Sequence, residues 1–265
     1  MSWIHVVVLA VVQGLTEILP ISSSGHLVLV PNVMEWQDQG LVFDVAVHFG
    51  TLVAVCLYFR EDVARMVQGG LQVATGRVAT PEARLALALG IGTVPAAVAG
   101  LLLAGWIATH LRDPMVVVVT LSGYGVLLGV ADKLGRRQRE MRHLTLVDAL
   151  VIGTAQALAL VPGTSRSGIT ITAGLFLGFK REDAARFSFL LSAPVILLAT
   201  LYEVATIFVE GEAVIFGTLA AGALVSAIVA YLTIGFFMRF VHAIGLVPFA
   251  VYRIVLAGVI LLVVA

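Results

Sequence analysis

Charge is scarce in this chain: 12% of its 265 residues are Asp, Glu, Lys or Arg, about half the share of a soluble domain. Hydrophobic residues make up 60%, and the mean hydropathy is +1.06, which excludes a water-soluble globule. Neither sign of charge is in excess, with 16 Lys+Arg against 16 Asp+Glu, so no basic stripe is left for nucleic acid. So apolar a chain also cannot be disordered. Cysteine is nearly absent. Cys56 has no partner for an internal disulfide and sits in an apolar run, where a buried thiol is expected. A cleavable leader is not expected either: the run from Val6 to Val12 lacks a basic flank, and no small-residue cleavage site precedes Glu17 and Pro20.

What the chain has instead is long apolar runs. A spanning helix needs about 20 such residues, and six stretches qualify: 41–59, 84–109, 114–131, 186–209, 213–238 and 246–264. Two more apolar regions, 3–36 and 145–179, are each broken near the middle. The breaks read Pro20-Ile21-Ser22-Ser23-Ser24-Gly25 and Pro162-Gly163-Thr164-Ser165-Arg166-Ser167-Gly168. Proline stops a helix, and the hydroxyl residues that follow can cap a new one. Irregular backbone at membrane depth is tolerated only against protein or a wet cavity. Both regions therefore read as re-entrant helical hairpins. The expected fold is an all-α polytopic membrane protein with six transmembrane helices and two re-entrant hairpins.

Basic residues set the orientation. With the 132–144 connection cytoplasmic, Lys133, Arg136, Arg137, Arg139 and Arg142 lie inside. Arg60, Arg65, Arg77, Arg84, Lys180, Arg181, Arg186 and Arg239 fall on the same side. Arg112 alone lies outside, while Arg166 and Arg253 remain within the membrane. Both termini then face outward, as does the acidic 209–212 connection with Glu210 and Glu212.

An internal repeat gives the same layout. Gln13-Gly14-Leu15-Thr16-Glu17-Ile18-Leu19-Pro20 echoes Gln156-Ala157-Leu158-Ala159-Leu160-Val161-Pro162, and the stretch from Tyr124 to Val130 echoes that from Tyr252 to Val259. Each half is one hairpin plus three spans, an odd number, so the halves insert with opposite orientation. The chain reads as a single integral membrane domain: residues 1–131 and 145–265 are inverted repeats whose broken helices meet near the midplane.

Charge inside the membrane points to the chemistry. Glu17 and Arg166 lie beside the two breaks, one per half. Gln13 and Glu17 are four residues apart and share a helix face. Glu17 can hold a divalent metal through oxygen ligation, with Gln13 adding a neutral carbonyl. An ion pair that only locks the hairpins is the plainer reading of Glu17 with Arg166. Hydroxyls next to His26 suggest an activated nucleophile or an acid–base pair, against the plainer reading that the serines cap a helix. Gly163 and Gly168 permit close backbone approach, and Thr164, Ser165 and Ser167 offer hydroxyl donors. With the restarting helix and the Arg166 fork they form an anion site suited to phosphate.

The remaining candidates are weaker. His48 can line the cavity, but a satisfied core histidine is the preferred reading. Arg253 is functional, or pairs with Glu203, or snorkels outward. Asp148 sits in a helix first turn, where the dipole favours it. His5, His110, His143 and His242 fall at span ends. The 60–84 connection suggests a surface amphipathic helix carrying Val63, Met66, Val67 and Leu71.

Three motifs in register, Gln13 to Glu17, Pro20 to His26 and Pro162 to Gly168, resemble the signatures of the undecaprenyl pyrophosphate phosphatases, the bacitracin-resistance family. The likeness covers essentially the whole chain. The family's first motif admits Glu or Gln at its leading position, so Gln13 fits while removing one anionic metal ligand. The resemblance implies hydrolysis of undecaprenyl pyrophosphate to the monophosphate and inorganic phosphate. It implies dependence on a divalent cation, Mg2+ or Ca2+, and a site at the outer, periplasmic face of the bacterial plasma (inner) membrane. It further implies carrier recycling for peptidoglycan synthesis and resistance to bacitracin. Read with it, Arg166 and the helix start neutralise phosphate. Ser23 is the first choice of nucleophile or phosphate contact and Ser22 the second. His26 is general base or alternative nucleophile, and direct attack by water stays open. The expected partners are the polyprenyl diphosphate substrate and membrane lipid, with no nucleic acid and a homodimer left open. A lipid-phosphate flippase or anion transporter of the same architecture is the alternative.

Overall fold

The computed structural model describes residues 2–34, 36, 39–111, 113–210 and 216–264. Arg112 and Glu212, placed outside by the charge count, lie outside the described residues. The helices are α1 (Trp3–Thr16), α2 (Ser23–Val33), α3 (Leu41–Tyr58), α4 (Arg60–Ala74), α5 (Pro81–His110) and α6 (Pro114–Leu134), followed by α7 (Leu146–Ala157), α8 (Arg166–Phe176), α9 (Arg181–Glu210), α10 (Phe216–Ile244) and α11 (Val247–Val264). No strand occurs among the described residues beyond one isolated bridge between Arg139 and Phe179.

Helix starts follow local chemistry. The Thr80 hydroxyl accepts the Ala83 N–H at 3.1 Å ahead of Pro81, and the Asp113 carboxylate accepts the Met115 N–H at 2.7 Å ahead of Pro114. Thr145 and Asp148 close a reciprocal capping box at the start of α7.

Among the described residues, five helices are long and apolar enough to cross a membrane: Leu41–Tyr58, Pro81–Leu103, Pro114–Leu134, Arg181–Thr206 and Phe216–Ile244. Several run past the ends expected from hydropathy, because capped polar turns extend them beyond their apolar cores. The expected sixth span forms α11, a shorter apolar helix. The amphipathic segment forms α4, with Val63 and Met66 against the core and Val67 and Leu71 exposed.

Close helix crossings depend on small residues, as expected where van der Waals packing drives association. A Cβ on Gly153 of α7 would stand 2.2 Å from the Gly92 carbonyl oxygen of α5. One on Gly50 of α3 would stand 2.2 Å from the Ala223 carbonyl oxygen of α10. The contact plan is balanced between the halves. Helix α1 packs on α10 as α7 packs on α5, while α3 meets α9 and α6 meets α11.

One end of the bundle is tied by arginines that the sequence reading used only as orientation signals. Arg181 grips Asp132 at 2.5 and 2.9 Å, and the same carboxylate accepts the Leu246 N–H at 2.9 Å. Arg186 reaches Asp62 at 2.7 Å, joining α9 to α4. Arg139 binds Asp148 at 2.5 and 2.9 Å and lies 4.4 Å over the Phe179 ring, so Asp148 answers to more than a helix dipole. In the same loop, the hydrogen bond from Lys180, with Arg142 nearby, holds the Glu140 carboxyl below its ordinary value. Cys56 is half-buried beside Leu52, Ala193 and Ile196 rather than fully enclosed. His110, His143 and His242 are exposed, and His5 stacks on Trp36 at 3.9 Å.

Gly153→Val is expected to destabilise the protein by more than ~2 kcal/mol, since α7 must leave α5 to admit the side chain. Gly90→Ala, where an added methyl meets open space, should leave the unfolding midpoint unchanged or slightly higher. Thermal unfolding in detergent, followed by circular dichroism, compares the two.

Candidate active site between two helix breaks

Each break ends in the same turn. Ser22 and Ser165 both adopt positive φ, +76° and +68°, a conformation that costs a non-glycine residue about 1–3 kcal/mol and clusters at functional sites. Each then caps its restarting helix: the Ser22 hydroxyl accepts the Gly25 N–H at 3.4 Å, and the Ser165 hydroxyl accepts the Gly168 N–H at 3.2 Å. Ser22-Ser23-Ser24-Gly25 and Ser165-Arg166-Ser167-Gly168 are thus one turn built twice. Ser23 and Arg166 hold equivalent places in it.

The two breaks touch. The Gly163 N–H donates to the Ser24 hydroxyl at 3.3 Å, and the Ser167 hydroxyl donates to the Leu19 carbonyl at 3.2 Å. Behind them lies Arg253, fully buried. Its guanidinium donates to the carbonyls of Thr164 at 2.8 Å, Gly163 at 3.0 Å, Leu121 at 3.3 Å and Thr120 at 3.4 Å, and sits 3.5 Å from that of Pro20. It neither snorkels nor pairs with Glu203. It serves the Gly163 and Thr164 carbonyls, which the second break leaves outside any helix, and ties that break to α6 through Thr120 and Leu121.

At the meeting point stands Glu17, only 7% exposed. Arg166 donates to its Oε1 at 2.6 Å, and the Ser23 hydroxyl donates to its Oε2 at 2.7 Å. The Gln13 amide lies 3.3 Å from Oε2, and His48 Nε2 lies 3.5 Å from it. Glu17, Ser23, His48 and Arg166 border a cavity of about 400 Å³ whose wall also includes Gln156, Ser165 and Glu203. Arg166 Nη1 is buried and has no hydrogen-bond partner among the described residues.

Several sequence candidates stand back from that wall. Gln13, Ser22, Thr164 and Ser167 are buried, and Gly163 supplies backbone to the junction. His26 has both ring nitrogens engaged: Nδ1 donates to the Ser22 carbonyl at 2.7 Å, and Nε2 meets the Tyr252 hydroxyl at 2.7 Å. Polar wall residues to which the sequence assigns no site role are Asp44, Gln156, Thr200 and Glu203, and His48 stands on the wall rather than in the core. Gln156 is the repeat partner of Gln13, so the repeat itself carried that signal. His48 follows Asp44 by one helical turn, a spacing that put both on one face of α3.

No three His, Cys, Asp or Glu side chains converge as a metal site among the described residues. Glu17 is one carboxylate, and the buried Gln13 Oε1 beside it has no hydrogen-bond partner among the described residues. That set fits an oxygen-loving cation completed by phosphate oxygens, because Mg2+ is commonly held by one or two carboxylates plus substrate phosphates.

The family model for the bacitracin resistance protein BacA matches residues 6–259. The chain belongs to the BacA family. Its relatives include the undecaprenyl-diphosphatase of Hahella chejuensis, 52% identical over 258 residues and 97% of each chain. That of Chromohalobacter salexigens is 52% identical over 263 residues and 99% of each. Undecaprenyl-diphosphatase 2 of Stutzerimonas stutzeri is 49% identical over 265 residues and 98% of each. In this BacA-family protein the two motifs of the breaks are the parts that assemble around Glu17.

Arg253→Met is expected to destabilise the fold by about 3 kcal/mol or more, since several buried carbonyls lose their donor at once. Arg253→Lys should recover only part of that loss. Unfolding midpoints of the two variants in detergent test this.

Proposed function

We propose that this protein hydrolyses undecaprenyl diphosphate to undecaprenyl phosphate and inorganic phosphate, recycling the carrier for peptidoglycan synthesis and so conferring bacitracin resistance. The observation that carries the reading is the buried, unpartnered Arg166 Nη1 at a cavity shared with Glu17 and Ser23. A guanidinium with a spare donor beside a helix start is built to receive a phosphate oxygen. The names of the relatives supply the substrate.

In this reading Arg166, Ser165 and the first turn of α8 bind and neutralise the diphosphate, with Gly163, Thr164 and Ser167 shaping the backbone beneath. Ser23, oriented by Glu17, is the attacking hydroxyl or the group that holds an attacking water. Ser22 and His26 hold the turn that presents Ser23. Glu17 and Gln13 would hold Mg2+ or Ca2+, which would stabilise charge developing on the leaving phosphate.

The lipid tail has somewhere to go. A second cavity, about 490 Å³ and walled by apolar residues including Leu103, Trp106 and Leu158, lies beside the first. Leu160 borders both, and Ala96 and Ala99 of α5, one turn apart, face one each. The first isoprene units occupy this groove.

The architecture we propose is six transmembrane helices, α11 completing the set, with α1–α2 and α7–α8 as re-entrant hairpins of an inverted repeat in one domain. The matched contacts of α1 with α10 and α7 with α5 support it, as do the twin serine turns. Residues 132–144 are cytoplasmic. Both termini and the site face the periplasm from the inner membrane. A flippase of the same architecture would bind prenyl phosphate through Arg166 without needing Ser23 against a carboxylate.

Purified protein in detergent should release phosphate from a C15 prenyl diphosphate, and EDTA should stop the release. Glu17→Ala, Arg166→Ala and Ser23→Ala should each lower kcat by about 100-fold or more. Binding of prenyl diphosphate without release by folded wild type would favour the flippase. Leu103→Gln is expected to raise KM for the C15 substrate by about tenfold, roughly the loss of two buried methylenes. A steady-state titration measures it.

A further inference from the structure

His26 is buried beside the first break, and its two hydrogen bonds lead away from the cavity wall. A carbonyl oxygen only accepts, so the 2.7 Å contact to the Ser22 carbonyl places a proton on Nδ1. No carboxylate pairs with the ring among the described residues, and a buried imidazole without one stays neutral. Nε2 is then a bare acceptor. The group 2.7 Å from it is the Tyr252 hydroxyl, which must donate. The two rings are also nearly parallel, 5° apart, with centroids separated by 5.7 Å. In the other tautomer two lone pairs would face each other across the 2.7 Å gap to Ser22. The phenol hydroxyl therefore selects the tautomer that holds the Ser22 carbonyl.

That hold matters because Ser22 is strained. Its φ of +76° is maintained by the cap from its own hydroxyl to the Gly25 N–H, a long 3.4 Å, and by the shorter bond from His26. The next residue is Ser23, whose hydroxyl reaches Glu17 Oε2 at 2.7 Å. A Ser22 that relaxed toward negative φ would swing Ser23 off that oxygen. The second break has no such ring. Ile169 stands where His26 stands, and the carbonyls there go to Arg253. Tyr252 and Arg253 are neighbours on α11, so one dipeptide braces both breaks.

We propose that Tyr252 is a positioning residue for the Ser23 hydroxyl: its O–H locks the His26 tautomer, and His26 in turn holds the turn that presents Ser23. The proposal rests on the phosphatase reading above, and it applies whether Ser23 attacks or holds the attacking water. Neither Tyr252 nor His26 is among the residues that wall the cavity. Tyr252 thus acts on the rate only through His26, and no proton leaves either group.

Tyr252→Phe keeps the ring and removes the hydroxyl at a position 43% exposed, so it leaves no enclosed void. In the full chain in detergent, on a C15 prenyl diphosphate, it should lower kcat by about tenfold, the weight of one hydrogen bond. KM should change by less than about threefold, and the unfolding midpoint should stay at the wild-type value. His26→Gln should also lower kcat, and adding Tyr252→Phe to it should cost nothing further. With 15N-labelled histidine, the His26 signals are assigned by their loss in His26→Gln. They should report the Nδ1–H tautomer in wild type and a mixture of tautomers in Tyr252→Phe. Wild-type kcat in Tyr252→Phe, an equal loss in the His26→Gln background, or an Nε2–H ring in wild type each overturns the proposal. So does a rate loss that comes with a lower midpoint and an unchanged tautomer, which would mark a purely structural role. If wild type releases no phosphate, the phosphatase reading fails, while the tautomer measurement still judges the pairing of Tyr252 with His26.

Discussion

A helix broken inside an apolar slab leaves carbonyls that water cannot reach, and the arrangement of this protein turns on how Arg253 answers them. One buried guanidinium serves Gly163 and Thr164 from the second break, Thr120 and Leu121 from α6, and approaches Pro20 from the first. A lone buried charge is costly, but dispersed over carbonyl oxygens it becomes the donor that the breaks need. With the carbonyls taken on that side, the helix starts of α2 and α8 turn their hydroxyls and Arg166 to the other. Glu17 lies there. The cavity exists because its rear wall is satisfied.

The twin serine turns explain how one scaffold yields two kinds of chemistry. Ser22 and Ser165 impose the same positive-φ turn and the same i to i+3 cap. The next residue is presented in the same way in both, and there the halves diverge. Ser23 brings a hydroxyl to one oxygen of Glu17, and Arg166 brings a guanidinium to the other. A repeated backbone with one altered side chain places a hydroxyl and a cation on opposite sides of one carboxylate. Glu17 itself has Leu160 at its counterpart in that register, and Leu160 divides the polar cavity from the apolar groove. The same position thus gives a charge on one hairpin and a hydrophobic divider on the other.

Hydropathy revealed the membrane character, and the proline breaks with their serines marked where the chemistry gathers. Glu17 and Arg166 were readable because charge is rare in apolar helices, and Ser23 and Ser165 because they follow a proline break. Arg181 and Arg186 were read only as a topological signal, since their carboxylate partners lie far away in sequence; Arg139 was read so too, because a loop separates it from Asp148. His26 stood out because it neighbours three serines, yet a residue four along from Ser22 turns back to that carbonyl rather than outward. His48, remote in sequence, was the one that reached the cavity wall.

Composition, the spacing of the apolar runs and the repeat determined that this is a helical membrane protein with two interrupted helices and acid, base and hydroxyl at the interruptions. These are local or periodic properties, set by burying apolar length and by proline and serine at the breaks. Which histidine faces the cavity, which oxygen of Glu17 meets which partner, and what Arg253 serves were decided only by tertiary structure. A side chain's partners in a close-packed interior depend on how helices cross, and the crossings follow from contacts such as Gly153 on Gly92 that no single segment encodes.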